Sequence, residues 1–275
     1  MTLTVLDDLL QGSEEWHDQR RGIVTASVVG RLVGLRALTG IDYTCPECGA
    51  LPDASCLSKV KRDGEPAPIK TLHQGRVDTA RRSNAPPRLE VSDGDDARGL
   101  TALLVAERIT GHTDPIYVSD DMLRGHEDEP RARDLYSEHY AEVRESGFMV
   151  RRETDWTLGY SPDGLVGDDG LIEVKSRRQK KQLTTILTDE VPVENMAQLQ
   201  AGLLVSGREW CDYISYCGGM PMYVKRVYPE HRWFAAIVDA VVQFEEAAAD
   251  MIAKYQMLTQ ELPMTERVIE MDMIL

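Results

Sequence analysis

Gly159-Tyr160-Ser161-Pro162-Asp163-Gly164-Leu165 and, past a Gly167-Asp168-Asp169-Gly170 turn, Leu171-Ile172-Glu173-Val174-Lys175 are the stretch on which the fold depends. Two runs of strand-forming residues, Trp156 to Tyr160 and Leu171 to Lys175, flank clusters of Gly, Pro and Asp, a pattern of strands joined by tight turns. Side chains alternate along a strand, so Glu173 and Lys175 share one face and Val174 points to the other. If the chain folds back through the turn, Asp163, with nine residues between it and Glu173, meets that pair at one edge of a sheet. Two carboxylates then offer the hard oxygen ligands that Mg²⁺ or Mn²⁺ prefers, and Lys175 can orient or help deprotonate a water activated by the metal. A Pro-Asp-Gly turn or a Glu-x-Lys triplet is commonplace alone. Together, at this spacing and with apolar Leu171, Ile172 and Val174, they point to metal-dependent hydrolysis.

Outward from this centre, apolar periodicity predicts helices over Gly99 to Thr110, Glu129 to Glu145, Val193 to Val205 and Phe234 to Leu258. The last should bury Ile237, Val241, Phe244, Met251, Tyr255 and Leu258 along one stripe. Asp212 to Cys217 and Tyr223 to Tyr228 read as strands, and Thr25 or Ser27 as the cap of a short helix. This order of helices and strand pairs indicates an α/β or α+β domain without internal repeats.

The 275 residues can bury one substantial core with a small appended module. No long apolar run or signal-peptide pattern occurs, which predicts a soluble, intracellular protein without a membrane partner. A net charge of -15 excludes a surface coated with positive potential, so any phosphate contact must be local. Charge is uneven: residues 189–275 carry fourteen acids and six bases, whereas residues 43–88 carry eight bases and five acids. Lys175, Arg177, Arg178, Lys180 and Lys181 form a basic run beside the carboxylate motif, where a DNA contact outweighs the ordinary reading as a solvated face.

From Gly159 to Lys175 the sequence resembles the active-site segment of the lambda exonuclease and YqaJ-type viral recombinase family, within the PD-(D/E)XK nuclease superfamily. Three further segments match that family's motifs in order. Trp16 to Ser27 resembles its W-x(3)-R-x-G-x-x-T-A-S motif, Gly125 to Arg133 its helical motif with a metal-site glutamate, and Met196 to Gln200 its Q-x-Q helix. The resemblance implies a restriction-endonuclease-like core: a mixed central sheet flanked by helices. It implies Asp163, Glu173, Lys175, Glu129 and Gln198 as catalytic residues, with catalytic Mg²⁺ or Mn²⁺ at Asp163, Glu173 and Glu129. Arg20, Ser27 and Ser161 would bind a 5′-phosphate end. A terminal phosphate carries more charge than an internal one, and a guanidinium can engage it through two hydrogen bonds.

Cys45-Pro46-Glu47-Cys48, Cys56 and His73 supply three thiolates and an imidazole, a tetrahedral Zn²⁺ set with no position open for catalysis. Cysteines so crowded do not suit a disulfide framework. Residues 42–88 therefore read as an inserted zinc-binding module, with the nuclease domain formed by 1–41 and 89–275. Its wording resembles small zinc modules of actinobacterial and phage proteins, although lambda exonuclease has no such insert. Lys59, Lys61, Arg62, Lys70, Arg76, Arg81 and Arg82 suggest a duplex-DNA contact, weighed evenly against a purely structural staple. Cys211 and Cys217 read as core residues.

The residues alone support metal-assisted phosphodiester hydrolysis. The family resemblance implies a 5′-to-3′ exonuclease acting on double-stranded DNA ends and leaving 3′ single strands for phage-type recombination. It also implies a ring-shaped trimer, a single-strand annealing partner, and the cytoplasm of a bacterial host of phage or prophage. Two alternatives stay open at this point: a structure- or site-specific endonuclease of the same superfamily, and a catalytically silent DNA-binding zinc protein.

Overall fold

A computed structural model describes residues 2–62, 65–115 and 117–267, with the side chains of Lys61 and Arg62 outside the description. Strand β1 (Thr2–Leu6) leads to helix α1 (Glu14–Arg20), then β2 (Val24–Thr25) and the one-turn helix α2 (Ala26–Val29). The Ser13 side chain caps α1 by accepting the Trp16 N–H, and Glu14 and Glu15 suit its positive end. Next come β3 (Val33–Arg36), β4 (Leu57–Arg62), β5 (Glu65–Pro68), α3 (Gln74–Arg82) and β6 (Arg88–Val91). β3 and β6 pair antiparallel, so the chain between them leaves and returns at adjacent points.

The rest runs α4 (Asp95–Thr110), α5 (Asp120–His139), β7 (Phe148–Arg152), β8 (Thr157–Tyr160), β9 (Gly164–Val166) and β10 (Gly170–Ser176). It closes with α6 (Gln179–Thr188), α7 (Val193–Ser206), β11 (Trp210–Tyr216), β12 (Tyr223–Val227) and α8 (His231–Thr259). The hydrogen-bond ladders form two four-stranded sheets, β1-β7-β8-β2 and β12-β11-β10-β9. β8 and β10 thus occupy interior positions in separate ladders.

β10 runs parallel to β11 and antiparallel to β9, with Ile172 opposite Gly164. One step further in that register sets Asp163 opposite Glu173, which is how the turn at Gly167 brings the two acids together. Leu171 belongs to the main core with Leu199, Leu203, Tyr213 and Ile237, whereas Ile172 and Val174 pack in a second cluster with Ala132 and Tyr136 of α5. Glu173 accordingly faces α7 and is almost fully buried.

One helix departs from its expected bounds and another from its expected burial. The helix expected over Glu129 to Glu145 runs instead from Asp120 to His139, started by Ser119, whose hydroxyl accepts the Met122 N–H, and continuous through Pro130. On α8, Ile237, Val241 and Phe244 are buried as expected, but Met251, Tyr255 and Leu258 are exposed because the helix outruns the core.

Gly22 links α1 to β2 with φ +68°, a conformation open to glycine at little cost. An added Cβ would lie 2.5 Å from Arg108 Cγ and 3.3 Å from the Leu104 carbonyl oxygen. Gly22→Ala should therefore destabilise the protein by about 2 kcal/mol or more, through left-handed strain and overpacking together. Urea unfolding checks this, and an unchanged midpoint would refute it.

Candidate active site and zinc centre

Glu173, Lys175 and Gln198 form one hydrogen-bonded triangle. Lys175 Nζ donates to Glu173 Oε1 at 2.6 Å and to Gln198 Oε1 at 2.9 Å, and Gln198 Nε2 donates to the same glutamate oxygen. The Tyr160 hydroxyl donates to Glu173 Oε2 at 3.3 Å. Asp163 Oδ2 accepts the Val174 N–H at 2.6 Å, which ties the β9 entrance to β10. Burial foremost, then the neighbouring Glu173 and Glu129, pushes the Asp163 carboxyl well above the usual carboxylate range. Glu129 is raised as well, chiefly by burial, with Arg133 opposing. Burial works against the Lys175 ammonium, but Glu173 and Asp163 outweigh it and lift its pKa.

A cavity of about 280 Å³ receives Glu129, Asp163, Glu173, Lys175 and Gln198 together with Arg20, Ser27 and Ser161. Every expected catalytic and 5′-phosphate residue thus lines one space. Arg20 spans its other wall: its guanidinium lies 3.4 Å from Ser161 Oγ and 3.3 Å from Ser27 Oγ. It stacks 4.0 Å from the centre of the Trp16 ring, and the Trp16 indole N–H donates to Ser161 Oγ at 2.9 Å. Burial draws the pKa of Arg20 down to about 10, with Glu107 opposing, so the side chain remains a cation at neutral pH.

Three buried or half-buried carboxylates facing one cavity, two of them raised by burial and mutual repulsion, fit a divalent cation in donor chemistry and charge. They are not drawn to one point. Arg133 donates to Glu129 Oε1 at 2.6 Å and to the Asp163 carbonyl oxygen at 2.9 Å, holding the two elements together. Sequence motifs included Trp16, Arg133 and Tyr160 but gave none of them a role. For Arg133 a signal existed, because it stands one helical turn after Glu129 and can pair with it.

Cys45, Cys48, Cys56 and His73 do converge. Their ligand atoms all lie within 4.8 Å of one another, and they are the one such set among the described residues. Sulfurs about 3.8 Å apart would surround a tetrahedral zinc at its usual bond lengths, so the set fits that ion. The Leu57 N–H points at Cys48 Sγ from 3.4 Å and is the largest cause holding that thiol down at about 6. Arg76, expected among the DNA-facing bases, is instead fully buried beneath this centre. It donates to the carbonyl oxygens of Ile41, Tyr43, Leu51 and Ala54, and no phosphate can reach it. Lys59, Lys70, Arg81 and Arg82 are exposed. Cys211 and Cys217 are buried, as expected.

Two family models match different stretches of the chain. Residues 96–209 match the YqaJ-like viral recombinase domain family, and residues 11–93 match a family described as "Putative DNA-binding phage zinc finger domain". No curated protein sequence matches significantly. Among solved structures, the chain is similar to the alkaline exonuclease LHK-Exo from Laribacter hongkongensis, with 25% identity and a TM-score of 0.64. The match covers 91% of this chain and 100% of that one, and is the same for LHK-Exo in complex with dAMP. In fold the chain is thus similar to an alkaline exonuclease, and its stretches 96–209 and 11–93 are similar to a YqaJ-like viral recombinase domain and a phage zinc finger domain.

Proposed function

We propose that this chain is a Mg²⁺- or Mn²⁺-dependent 5′-to-3′ exonuclease that acts on double-stranded DNA ends and leaves 3′ single strands for phage-type recombination. The observation that carries the reading is one cavity lined by a half-buried arginine, two serines, three carboxylates and a lysine. The YqaJ-type match and the likeness to an alkaline exonuclease support a nuclease.

Arg20, Ser27 and Ser161 hold the terminal phosphate, which sets the scissile bond one nucleotide inward. Glu129, Asp163 and Glu173 would hold a divalent cation, which would supply Lewis-acid stabilisation of the charge that develops on the scissile phosphate. Lys175 orients the attacking water and donates toward that developing charge. Gln198 holds Lys175 and Glu173 through a hydrogen bond to each, and Arg133 positions Glu129. Among the described residues no helix is long and apolar enough to cross a membrane.

Residues 42–88 form, in this reading, a module stapled by structural zinc, and Lys59, Lys70, Arg81 and Arg82 offer duplex DNA its phosphate contacts. A ring-shaped trimer and a single-strand annealing partner complete the reading.

Release of label from duplexes tagged at the 5′ or the 3′ terminus tests polarity. Early release of the 5′ tag as a mononucleotide is expected, and early release of the 3′ tag would reverse the assignment. Arg20→Ala should lose about tenfold or more of the preference for a 5′-phosphate over a 5′-hydroxyl end, the scale of one charge-assisted contact. Paired kcat/KM values on the two ends check this. An unchanged ratio would remove Arg20 from the phosphate site.

A further inference from the structure

A second concave surface of about 600 Å³ adjoins the cavity and shares Ser176 with it. Arg124, Arg177, Arg178, Lys180 and Lys181 line it, with Asp121 as its one acid. So dense a group of cations is conspicuous on a chain of net charge -15. Part of the group is structural. Arg177 is tied to Asn195 and to the Tyr213 hydroxyl, and Arg124 donates to Ser176 Oγ at 3.0 Å and to Asp121 at 2.7 Å. Arg178 pairs with Asp121 across an exposed face, and Lys181 pairs with Glu194. Lys180 is exposed and has no ion pair among the described residues.

We propose that this groove binds backbone phosphates of the strand being degraded, on the 3′ side of the scissile bond. The proposal rests on the reading of the cavity as an end-binding nuclease site. Contacts lead from one region to the other without a break: Arg20 touches Ser161, Asp163 follows two residues later and accepts the Val174 N–H, and Lys175 precedes Ser176. A strand with its terminal phosphate at Arg20 and its scissile phosphate at the carboxylates has its later phosphates left to place beyond Ser176. Exposed pairs such as Arg178 with Asp121 contribute little to the fold, so a phosphate can exchange for the aspartate at small cost. Arg124 and Ser176, fixed to each other and to the buried Asp128, keep the passage between the two regions in place.

The test is equilibrium binding of a long 5′-phosphorylated duplex in EDTA, read by fluorescence anisotropy over a salt series. Wild type is compared with Arg178→Gln/Lys180→Gln and with a control pair of equal charge change, Arg98→Gln/Lys254→Gln, which lines neither region. The groove variant should lower the slope of log affinity against log salt by about two, so that wild type loses about tenfold more affinity between about 50 and 200 mM salt. The control pair should match wild type. Uncharged methylphosphonates at the first two linkages 3′ of the scissile bond should reproduce the drop in wild type and add nothing in the groove variant. An unaltered slope in the groove variant would overturn the proposal, and so would an effect of methylphosphonates in the complementary strand alone. If wild type releases nucleotides with Mg²⁺ while the groove variant keeps its slope, the groove assignment alone fails. If wild type releases none, the nuclease reading fails and takes the strand assignment with it.

Discussion

Replacing Asp163 by asparagine is expected to cut Mg²⁺-dependent nucleotide release by about a thousandfold or more, as loss of several kcal/mol of charge stabilisation implies. The same change should raise the thermal stability of the metal-free protein at alkaline pH. Burial, followed by Glu173 and Glu129, holds the Asp163 carboxyl well above its ordinary range in the folded state. A carboxyl raised in this way gives its full contribution to stability below its unfolded pKa and loses it as pH climbs through the folded pKa. At higher pH, ionised Asp163 faces two other acids in a buried space, and asparagine never takes that charge. Asparagine can still accept the Val174 N–H through Oδ1, so the register of β9 and β10 is kept. Melting curves in EDTA across the pH range, alongside release assays in Mg²⁺, check both halves. Retained release would remove Asp163 from catalysis, and a variant less stable than wild type at high pH would contradict the electrostatic account.

Chelation of zinc should unfold the segment around Cys45, Cys48, Cys56 and His73 while the nuclease core persists. The segment's own core holds Cys45, Ala50 and Cys56, with Cys48, Ile69 and Leu72 packed against it. Three of those six are ligands. The remaining apolar burial is worth roughly 1.5–3 kcal/mol for each large side chain, whereas ordering the backbone costs about 1–2 kcal/mol for every residue fixed. Metal binding, about 10–16 kcal/mol in zinc-finger peptides, is the larger of the two favourable contributions. Arg76 reinforces the same centre by gathering four carbonyl oxygens from loops that have no ladder of their own. Hydrogen exchange with and without chelator reads the result: protection should vanish over Leu57–Arg62 and Gln74–Arg82 and remain over Gly170–Ser176. Unchanged protection in the module would show that it folds without zinc.

The strands and acids at the centre were legible because the period of two and the hairpin turn are local properties. Alternation puts Glu173 and Lys175 on one face, and counting back through the turn sets Asp163 opposite Glu173. The helices near Leu100, Leu199 and Ile237 were legible from their buried stripes. α5 was misplaced because its first half buries little: Asp128, Ala132 and Tyr136 are its buried residues, and Pro130 reads as an interruption. The true start is marked by Ser119 and two aspartates rather than by apolar periodicity.

What stayed hidden depends on contacts between distant parts of the chain. Trp16 and Ser161 meet across 145 residues, and no spacing rule predicts an indole N–H donated to that hydroxyl. The burial of Arg76 is equally illegible, since an arginine in a basic insert looks like any surface cation until the surrounding carbonyl groups turn inward. Met251, Tyr255 and Leu258 continue a helical stripe in sequence, but the core ends before they do.

End dependence is the property that most directly follows from Arg20 and the carboxylates sharing one cavity. The decisive measurement is nucleotide release by the wild-type protein with Mg²⁺ from a 5′-phosphorylated linear duplex and from the same sequence as a covalently closed circle. Mononucleotide release from the linear form and an intact circle is the predicted result; cleavage of the circle would contradict the account and make the protein an endonuclease.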